Sequence, residues 1–182
     1  MIIHKLEIPD LLIFEPKVFG DERGYFFESW NNKTAENLGI DFNPVQHNES
    51  SSVYGVVRGL HYQLNPNSQA KLIRVVYGKV LDVAVDLRQN SKTFGKHYSI
   101  VLSADNKKQF FIPKGFAHGF SVLSEFAIFS YMCDDYYNPQ AERGIDYKDK
   151  FLNIDWKISH DKITVSEKDK NNPSFDKAEK NF

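Results

Sequence analysis

The chain has 182 residues, enough to bury one sizeable core and short for two. Its 41% hydrophobic and 26% charged residues match a soluble globular domain, and 23 Lys plus Arg against 24 Asp plus Glu leave a net charge of −1. That balance removes the electrostatic argument for a dedicated nucleic-acid or anionic-membrane surface. One cysteine, Cys133, excludes an intrachain disulfide and a cysteine-based zinc site, and reads as buried filler in a reducing cytoplasm. No apolar run approaches transmembrane or signal-peptide length. The expectation is a single cytoplasmic domain over residues 1–182.

In chain order, period-2 alternation dominates. Strands are expected at Leu11–Glu15 and Tyr25–Ser29, then a helix over Asn31–Leu38, opened by Asn and closed by Gly39. Further strands follow at Val45–Ser52, Val56–Gln63, Ala70–Tyr77, Val80–Leu87, His97–Leu102, Gln109–Ile112 and Ala127–Met132. Between Val80 and Leu87, Leu81, Val83, Val85 and Leu87 share one face, Asp82, Ala84 and Asp86 the other. Turn signals such as Asn65-Pro66-Asn67 and Pro113-Lys114-Gly115 separate the strands. Short helices are expected after Asp146, and residues 168–182, rich in Lys, Asn and Asp, read as a peripheral, partly frayed tail. Many short strands with few helices predict a closed antiparallel barrel or a two-sheet jelly roll, whose mouth is a usual place for a small-molecule pocket.

Four positions stand out chemically. On a regular strand His61 and Gln63 face one way, and Gly59 permits a bulge that re-aims Arg58. A lone His is more often structural, but Gln46 and Asn48 share a face on the preceding strand and give His61 polar company. Lys71 lies in register with Ile73, Val75 and Tyr77, which fits either an edge residue with its head in water or a cation held inside a barrel. Tyr131 fits a core or rim position, or a proton donor to a carbanion in a dry pocket. Finally, Pro113-Lys114-Gly115-Phe116-Ala117-His118 has the Pro-x-Gly-x-x-His spacing of the second cupin motif. The first cupin motif usually carries His-x-His, and here the stretch is His61-Tyr62-Gln63, which leaves a metal site incomplete.

Together these segments resemble the dTDP-4-dehydrorhamnose 3,5-epimerases, a cupin family, from about Ile8 to Pro173. The resemblance rests on Phe19-x-Asp21-x-Arg23-Gly24-x-Phe26-x-Glu28, Gln46-x-Asn48-x-Ser50, Arg58-Gly59-Leu60-His61-Tyr62-Gln63 and Gln69-Ala70-Lys71-Leu72-Ile73-Arg74. It continues through Asp82-Val83-Ala84-Val85-Asp86-Leu87-Arg88, Ser91-x-Thr93-Phe94-Gly95, Leu102-Ser103-Ala104-Asp105-Asn106, Pro113–Phe120 and Ser166-Glu167-Lys168-Asp169. It implies an all-β, cupin-type antiparallel jelly-roll barrel with a few short peripheral helices.

The resemblance also implies roles. His61 would be the base that removes a proton beside a sugar's 4-keto group, with Asp169 behind it, and Tyr131 the acid on the opposite face. Lys71 would stabilise the enolate oxygen, with His118 nearby. Arg23, Glu28, Gln46, His47, Asn48, Arg58, Tyr137, Glu142 and Lys168 would hold the dTDP-sugar; Tyr137 either stacks on the thymine or fills the rim. No metal or cofactor is implied. A homodimer is implied, with the N-terminal strands (residues 1–15) at its interface, and neither nucleic acid nor membrane is a partner. Inversion alpha to a ketone needs a base on one face and an acid on the other, which is why this set of residue types suits the reaction.

Two departures from the family pattern occur: Tyr147-Lys148-Asp149 replaces a common Trp-Asn-Asp, and His97 replaces a Trp after Phe94-Gly95-Lys96. The first is expected to loosen C-terminal packing or alter the sugar edge of the site. The competing readings are a mono-epimerase on a related 4-keto sugar, a metal-dependent cupin, and a non-catalytic sugar-binding cupin.

Overall fold

A computed structural model describes all 182 residues. Thirteen strands and two short α-helices follow in order: β1 (Ile2–Lys5), β2 (Leu12–Glu15), β3 (Phe19–Asp21), β4 (Gly24–Phe26), α1 (Asn32–Asn37), β5 (Gln46–Val53), β6 (Val57–Gln63) and β7 (Lys71–Tyr77). The remainder are β8 (Lys79–Asp86), β9 (His97–Ser103), β10 (Gln109–Ile112), β11 (Phe116–Val122), β12 (Phe126–Cys133), β13 (Glu142–Gly144) and α2 (Glu167–Lys170). A six-stranded sheet, ordered β1-β2-β10-β7-β12-β5, faces a five-stranded sheet, ordered β13-β6-β11-β8-β9, and every pairing within both is antiparallel. This is the expected jelly-roll barrel.

The alternation of the strands decides which side chains enter it. Ile73 and Val75 from one sheet, with Val80, Ala84, Phe116 and Phe120 from the other, form the core between the sheets with Phe110 and Phe129. On β8 the wholly apolar face turns outward. Leu81, Val83, Val85 and Leu87 pack beneath a C-terminal layer of Ile145, Tyr147, Leu152, Trp156, Phe175 and Ala178. Asp82 and Ala84 therefore point into the barrel, so the polar face of this strand is the inner one. A third cluster joins Phe14, Leu72 and Phe111 on the outside of the six-stranded sheet to Ala35, Ile40 and Phe42 around α1.

Four sequence-based expectations change. Only Gly24–Phe26 of the expected Tyr25–Ser29 strand is extended, paired with β3 as a separate hairpin. Strands β3 and β13, too brief to show a period, were not anticipated, and neither was β11, whose seven residues are all buried and so show no apolar–polar alternation. The segment from Lys168 to Phe182 is not frayed. Asp169, Phe175 and Ala178 are buried, and Asn181 exchanges hydrogen bonds with Asn65 at 3.0 and 3.1 Å. Two apolar side chains among charges are enough to anchor it, because the outer face of β8 offers them a surface. Tyr147 does not loosen this layer either: it is buried, its carbonyl accepts Trp156 Nε1–H at 2.8 Å, and Asp149 accepts the backbone N–H groups of Phe151, Leu152 and Phe175.

A charged cluster ties the end of β8 to the loop after it. Buried Asp86 accepts from Arg88 Nε at 2.9 Å and Arg88 Nη2 at 2.8 Å, and from Ser91 and Thr93 hydroxyls at 2.7 Å each. Burial pushes its carboxyl up, but Arg88, Thr93 and Ser91 together hold it below the ordinary range. Asp86→Asn is expected to cost about 3 kcal/mol near neutral pH, since one carboxamide oxygen cannot serve all these donors. A depressed carboxyl contributes stability that is complete above the unfolded value and lost as pH falls through the folded one. The deficit should therefore be full above about pH 5 and shrink below about pH 4, as read by denaturant melts across that range.

Candidate active site

His61 is one of two residues in β6 whose setting depends on a single irregularity. Along β11, His118 pairs with His61 and Phe120 with Arg58, so Gly59 and Leu60 together oppose only Gly119. This is the expected bulge. Gly59 has φ +119°, and a Cβ there would lie 2.6 Å from the Gly119 Cα and 2.7 Å from the His118 carbonyl oxygen. No larger residue fits.

The bulge frees the Gly59 N–H to point at Asp169 Oδ2 at 3.5 Å, while Asp169 Oδ1 lies 2.5 Å from His61 Nε2. Asp169 is presented by α2, whose first turn Ser166 caps by accepting the Asp169 N–H at 3.1 Å. The His61 side chain is 31% exposed and that of Asp169 only 4%, so the imidazole faces a cavity with its carboxylate behind it. Burial raises the Asp169 carboxyl, but the His61 hydrogen bond and charge, with the Gly59 N–H and Ser166, bring it net below the usual range. The arrangement fixes the imidazole tautomer: Nε2–H donates to Asp169 and Nδ1 holds the lone pair.

The cavity, about 290 Å³, is lined by His61 from the five-stranded sheet and by Lys71 and Tyr131 from the sheet facing it. Register explains their proximity. Lys71 pairs with Cys133 across β7 and β12, two positions from Tyr131, and its Nζ lies 6.0 Å from the Tyr131 ring centre. Burial raises the Tyr131 phenol, and it lowers the Lys71 ammonium although the Asp82 and Glu142 carboxylates pull the lysine back. Lys71 has no ion-pair partner. Cys133 is buried, its thiol pushed up to about 11, and is therefore a neutral neighbour.

Gln46, Asn48, Tyr137 and Glu142 complete the walls. Gln46 Nε2 donates to Asn48 Oδ1 at 2.9 Å, and Gln46 Oε1 accepts the Tyr137 N–H at 2.9 Å. The Tyr137 hydroxyl donates to Glu142 at 2.6 Å, and Lys168, adjacent to Asp169, pairs with the same Glu142 oxygen. Arg58 stands beside this set, its Nε held by Ser52 Oγ at 3.0 Å. Gln69 and Tyr62 also line the cavity and were not singled out from sequence, where nothing but proximity to Lys71 and His61 marks them.

Seven expected site residues do not line the cavity: Asp169, Arg58 and Lys168 stand behind or beside the residues that do, and the other four are engaged elsewhere. His47 alternates away from Gln46 and Asn48, and its Nε2 meets Ser130 Oγ at 2.8 Å on the outer side of β5. Arg23, its side chain 85% exposed, pairs with Asp21 at 2.5 Å in the β3–β4 hairpin, and exposed Glu28 accepts from Asn31 at 3.1 Å. His118 is buried inside the barrel, with Nε2 at 3.0 and 3.1 Å from the two carboxylate oxygens of Asp82. Asp82 itself was visible in the sequence only as one of three residues sharing a face of an alternating strand and as part of a family motif. Gln63, at the position of the missing second histidine, spends its amide on the Asn67 and Tyr136 carbonyls and its oxygen on the Asn138 N–H. No three His, Cys, Asp or Glu side chains converge as a metal-ligand set.

Comparison with known proteins agrees with this geometry. The family model described as dTDP-4-dehydrorhamnose 3,5-epimerase matches residues 5–177. The dTDP-4-dehydrorhamnose 3,5-epimerase of Shigella flexneri is 53% identical over 176 residues, 96% of each chain. The crystal structure of the Elizabethkingia anophelis enzyme superposes with a TM-score of 0.93 at 52% identity, covering 98% of this chain and 99% of that one. A Legionella pneumophila dTDP-6-deoxy-D-glucose-3,5-epimerase in complex with dTDP-4-keto-L-rhamnose superposes at 0.92 with 49% identity, covering 96% and 93%. With a barrel of the same kind and matches running almost end to end, this chain belongs to the dTDP-4-dehydrorhamnose 3,5-epimerase family.

Proposed function

We propose that the chain inverts carbons 3 and 5 of dTDP-4-dehydro-6-deoxy-D-glucose to give dTDP-4-dehydro-L-rhamnose. One observation carries the reading: His61, backed by Asp169, lines one cavity with Tyr131 and Lys71 from the facing sheet. His61 takes the proton alpha to the ketone, the electron pair moves onto the carbonyl oxygen, and the Lys71 ammonium stabilises the enolate. Tyr131 then gives a proton to the other face of the same carbon. A single residue returning its own proton would restore the starting configuration. The raised Tyr131 phenol keeps its proton until the carbanion forms. Gln46, Asn48, Arg58, Tyr137, Glu142 and Lys168 surround the mouth and are assigned to the dTDP-sugar. The chemistry moves only protons. The similarity to relatives named 3,5-epimerases at about half identity favours double over single inversion.

Arg23 and Glu28, assigned to the nucleotide, do not reach their own chain's cavity. The hairpin that carries Arg23 exposes Phe19, Tyr25 and Phe26 at 54, 61 and 69%. An apolar arm with a cation at its tip fits the mouth of a second copy better than water. We therefore assign a homodimer in which the N-terminal segment crosses to the neighbour. No helix is long and apolar enough to cross a membrane, and the lone buried thiol suits the cytoplasm.

Proton NMR in heavy water with dTDP-4-dehydro-6-deoxy-D-glucose should show deuterium entering carbons 3 and 5. Exchange at carbon 3 alone would make the enzyme a mono-epimerase, and exchange at neither would refute the substrate. His61→Ala should lower kcat by about 10²- to 10⁴-fold. Tyr131→Phe should behave differently, exchanging the substrate C–H for deuterium with retained configuration, because base and enolate stabiliser remain. Light scattering should give twice the 21.1 kDa chain mass. Mixing Arg23→Ala with His61→Ala should restore activity that neither has alone, whereas an arm serving its own subunit would give none.

A further inference from the structure

The chain changes its means of support where β12 ends. The Asp134 N–H still donates to the Ala70 carbonyl at 3.3 Å, but from the Asp135 carbonyl to the Asn138 N–H no backbone group has a backbone partner. Side chains from β5, β6 and the β6–β7 connection take over. Gln69 Nε2 donates to the Asp135 carbonyl at 2.7 Å and Gln63 Nε2 to the Tyr136 carbonyl at 3.2 Å. Gln46 Oε1 accepts the Tyr137 N–H at 2.9 Å, and Gln63 Oε1 the Asn138 N–H at 2.7 Å. Three glutamines thus replace a strand partner for residues 135–138. Without them these peptide groups would turn to water and the segment would loosen.

Gln63 is the centre of the set. It closes β6 two residues beyond His61, lines the same cavity and is 5% exposed. Its Nε2 also donates to the Asn67 carbonyl at 2.6 Å, so one carboxamide ties the β6–β7 connection to the β12–β13 connection. Asn138 Nδ2, donating to Asn67 Oδ1 at 3.0 Å, repeats the tie. These bonds require two N–H donors and an acceptor on one short planar group. A glutamine carries all three, a neutral histidine only one donor and an ionised glutamate none. The position that would complete a His-x-His motif is therefore committed to holding the mouth of the cavity.

Tyr137 is the one residue of the held segment that lines the cavity. Gln63 fixes the peptide groups on both sides of it. The Tyr137 hydroxyl donates to Glu142 at 2.6 Å, and Glu142 is the cross-strand partner of Gln63 on β13. A tyrosine 54% exposed yet anchored at backbone and tip is ordered on folding and not on binding. We propose that Gln63 is a positioning residue that acts through Tyr137: by clamping the two peptide groups that flank it, Gln63 holds the tyrosine as a preformed wall of the mouth, against which the dTDP-sugar is received. The substrate in this assignment rests on the epimerase reading above; the clamp itself does not.

The test measures kcat and KM for the wild type, Gln63→Met, Tyr137→Ala and the double variant. Methionine keeps the length of the side chain and removes all three bonds. Gln63→Met should raise KM about tenfold and lower kcat about threefold or less, because the base, acid and enolate stabiliser stay in place. In the Tyr137→Ala background the same change should raise KM about twofold or less. The same rise in both backgrounds would mean that Gln63 touches substrate or merely supports the fold, and would overturn the proposal. Where Gln63→Met does not fold, Gln63→Glu keeps the acceptor and loses both donors; it should raise KM about threefold, with the same dependence on Tyr137. Amide hydrogen exchange adds a readout that needs neither a variant nor turnover. The Tyr137 and Asn138 N–H groups of the wild type should exchange about 10²-fold or more slowly than in an unstructured peptide. Exchange at the unstructured rate would overturn the clamp even in an active enzyme. A wild type with both amides protected that moves deuterium into neither carbon would instead refute the epimerase reading alone.

Discussion

The passage of β6 across β11 at Gly59 and Gly119 is the contact on which the site depends. Two backbones come closer there than any side chain permits, and the extra residue on β6 turns the Gly59 N–H out of the ladder. That N–H and the His61 imidazole then meet the same carboxylate from two sides. A similar absence of bulk operates at Gly144, the neighbour of His61 on β13, where a Cβ would lie 2.3 Å from Asn172 Oδ1. The vacancy at Gly144 lets the segment that carries α2 lie close to β13, where Asp169 reaches His61. The dyad is thus a product of close backbone packing as much as of the two residues in it.

The cavity uses one physical effect in two directions. Withdrawal from water disfavours whichever form is charged, so it raises the Tyr131 phenol and lowers the Lys71 ammonium. For the tyrosine this suits the proposed role of acid, which should hold its proton until a carbanion forms. For the lysine it opposes the proposed role, because an uncharged amine is a poor partner for an enolate.

The outer layers support this interior from both sides. On the five-stranded sheet the C-terminal segment covers β8 and β6, and Tyr62, the neighbour of His61, donates its hydroxyl to the Glu179 carbonyl at 2.5 Å. Burial pushes that phenol up to about 12. On the six-stranded sheet, α1 and Phe42 cover Leu72 and Phe111, leaving β5 as an edge. The β3–β4 hairpin remains outside both layers, with Phe19, Tyr25 and Phe26 exposed.

Much of the architecture was legible because strand alternation is a local property. The face pattern of residues 80–87, the helix near 32–37 and the turns all follow from neighbours in sequence. The family resemblance likewise pointed to His61, Lys71, Tyr131 and Asp169 before their proximity was known. What alternation does not tell is which of two faces points inward, and the wholly apolar face of β8 proved to be the outer one. Nor does it tell that His47 lies opposite its neighbours' pocket, since a motif assigns positions without assigning a side of the sheet. The packing of residues 168–182 was equally hidden, because a charged segment with two apolar anchors looks frayed until a surface exists for them. Sequence by itself determined the residue types, the strands and the family; the tertiary structure decided which face was interior. Only the pairing of β8 with β11 brings Asp82 beside His118, and only closure of the barrel sets His61 on one sheet against Tyr131 on the other, for pairings between distant strands are set by the global fold and not by local preference.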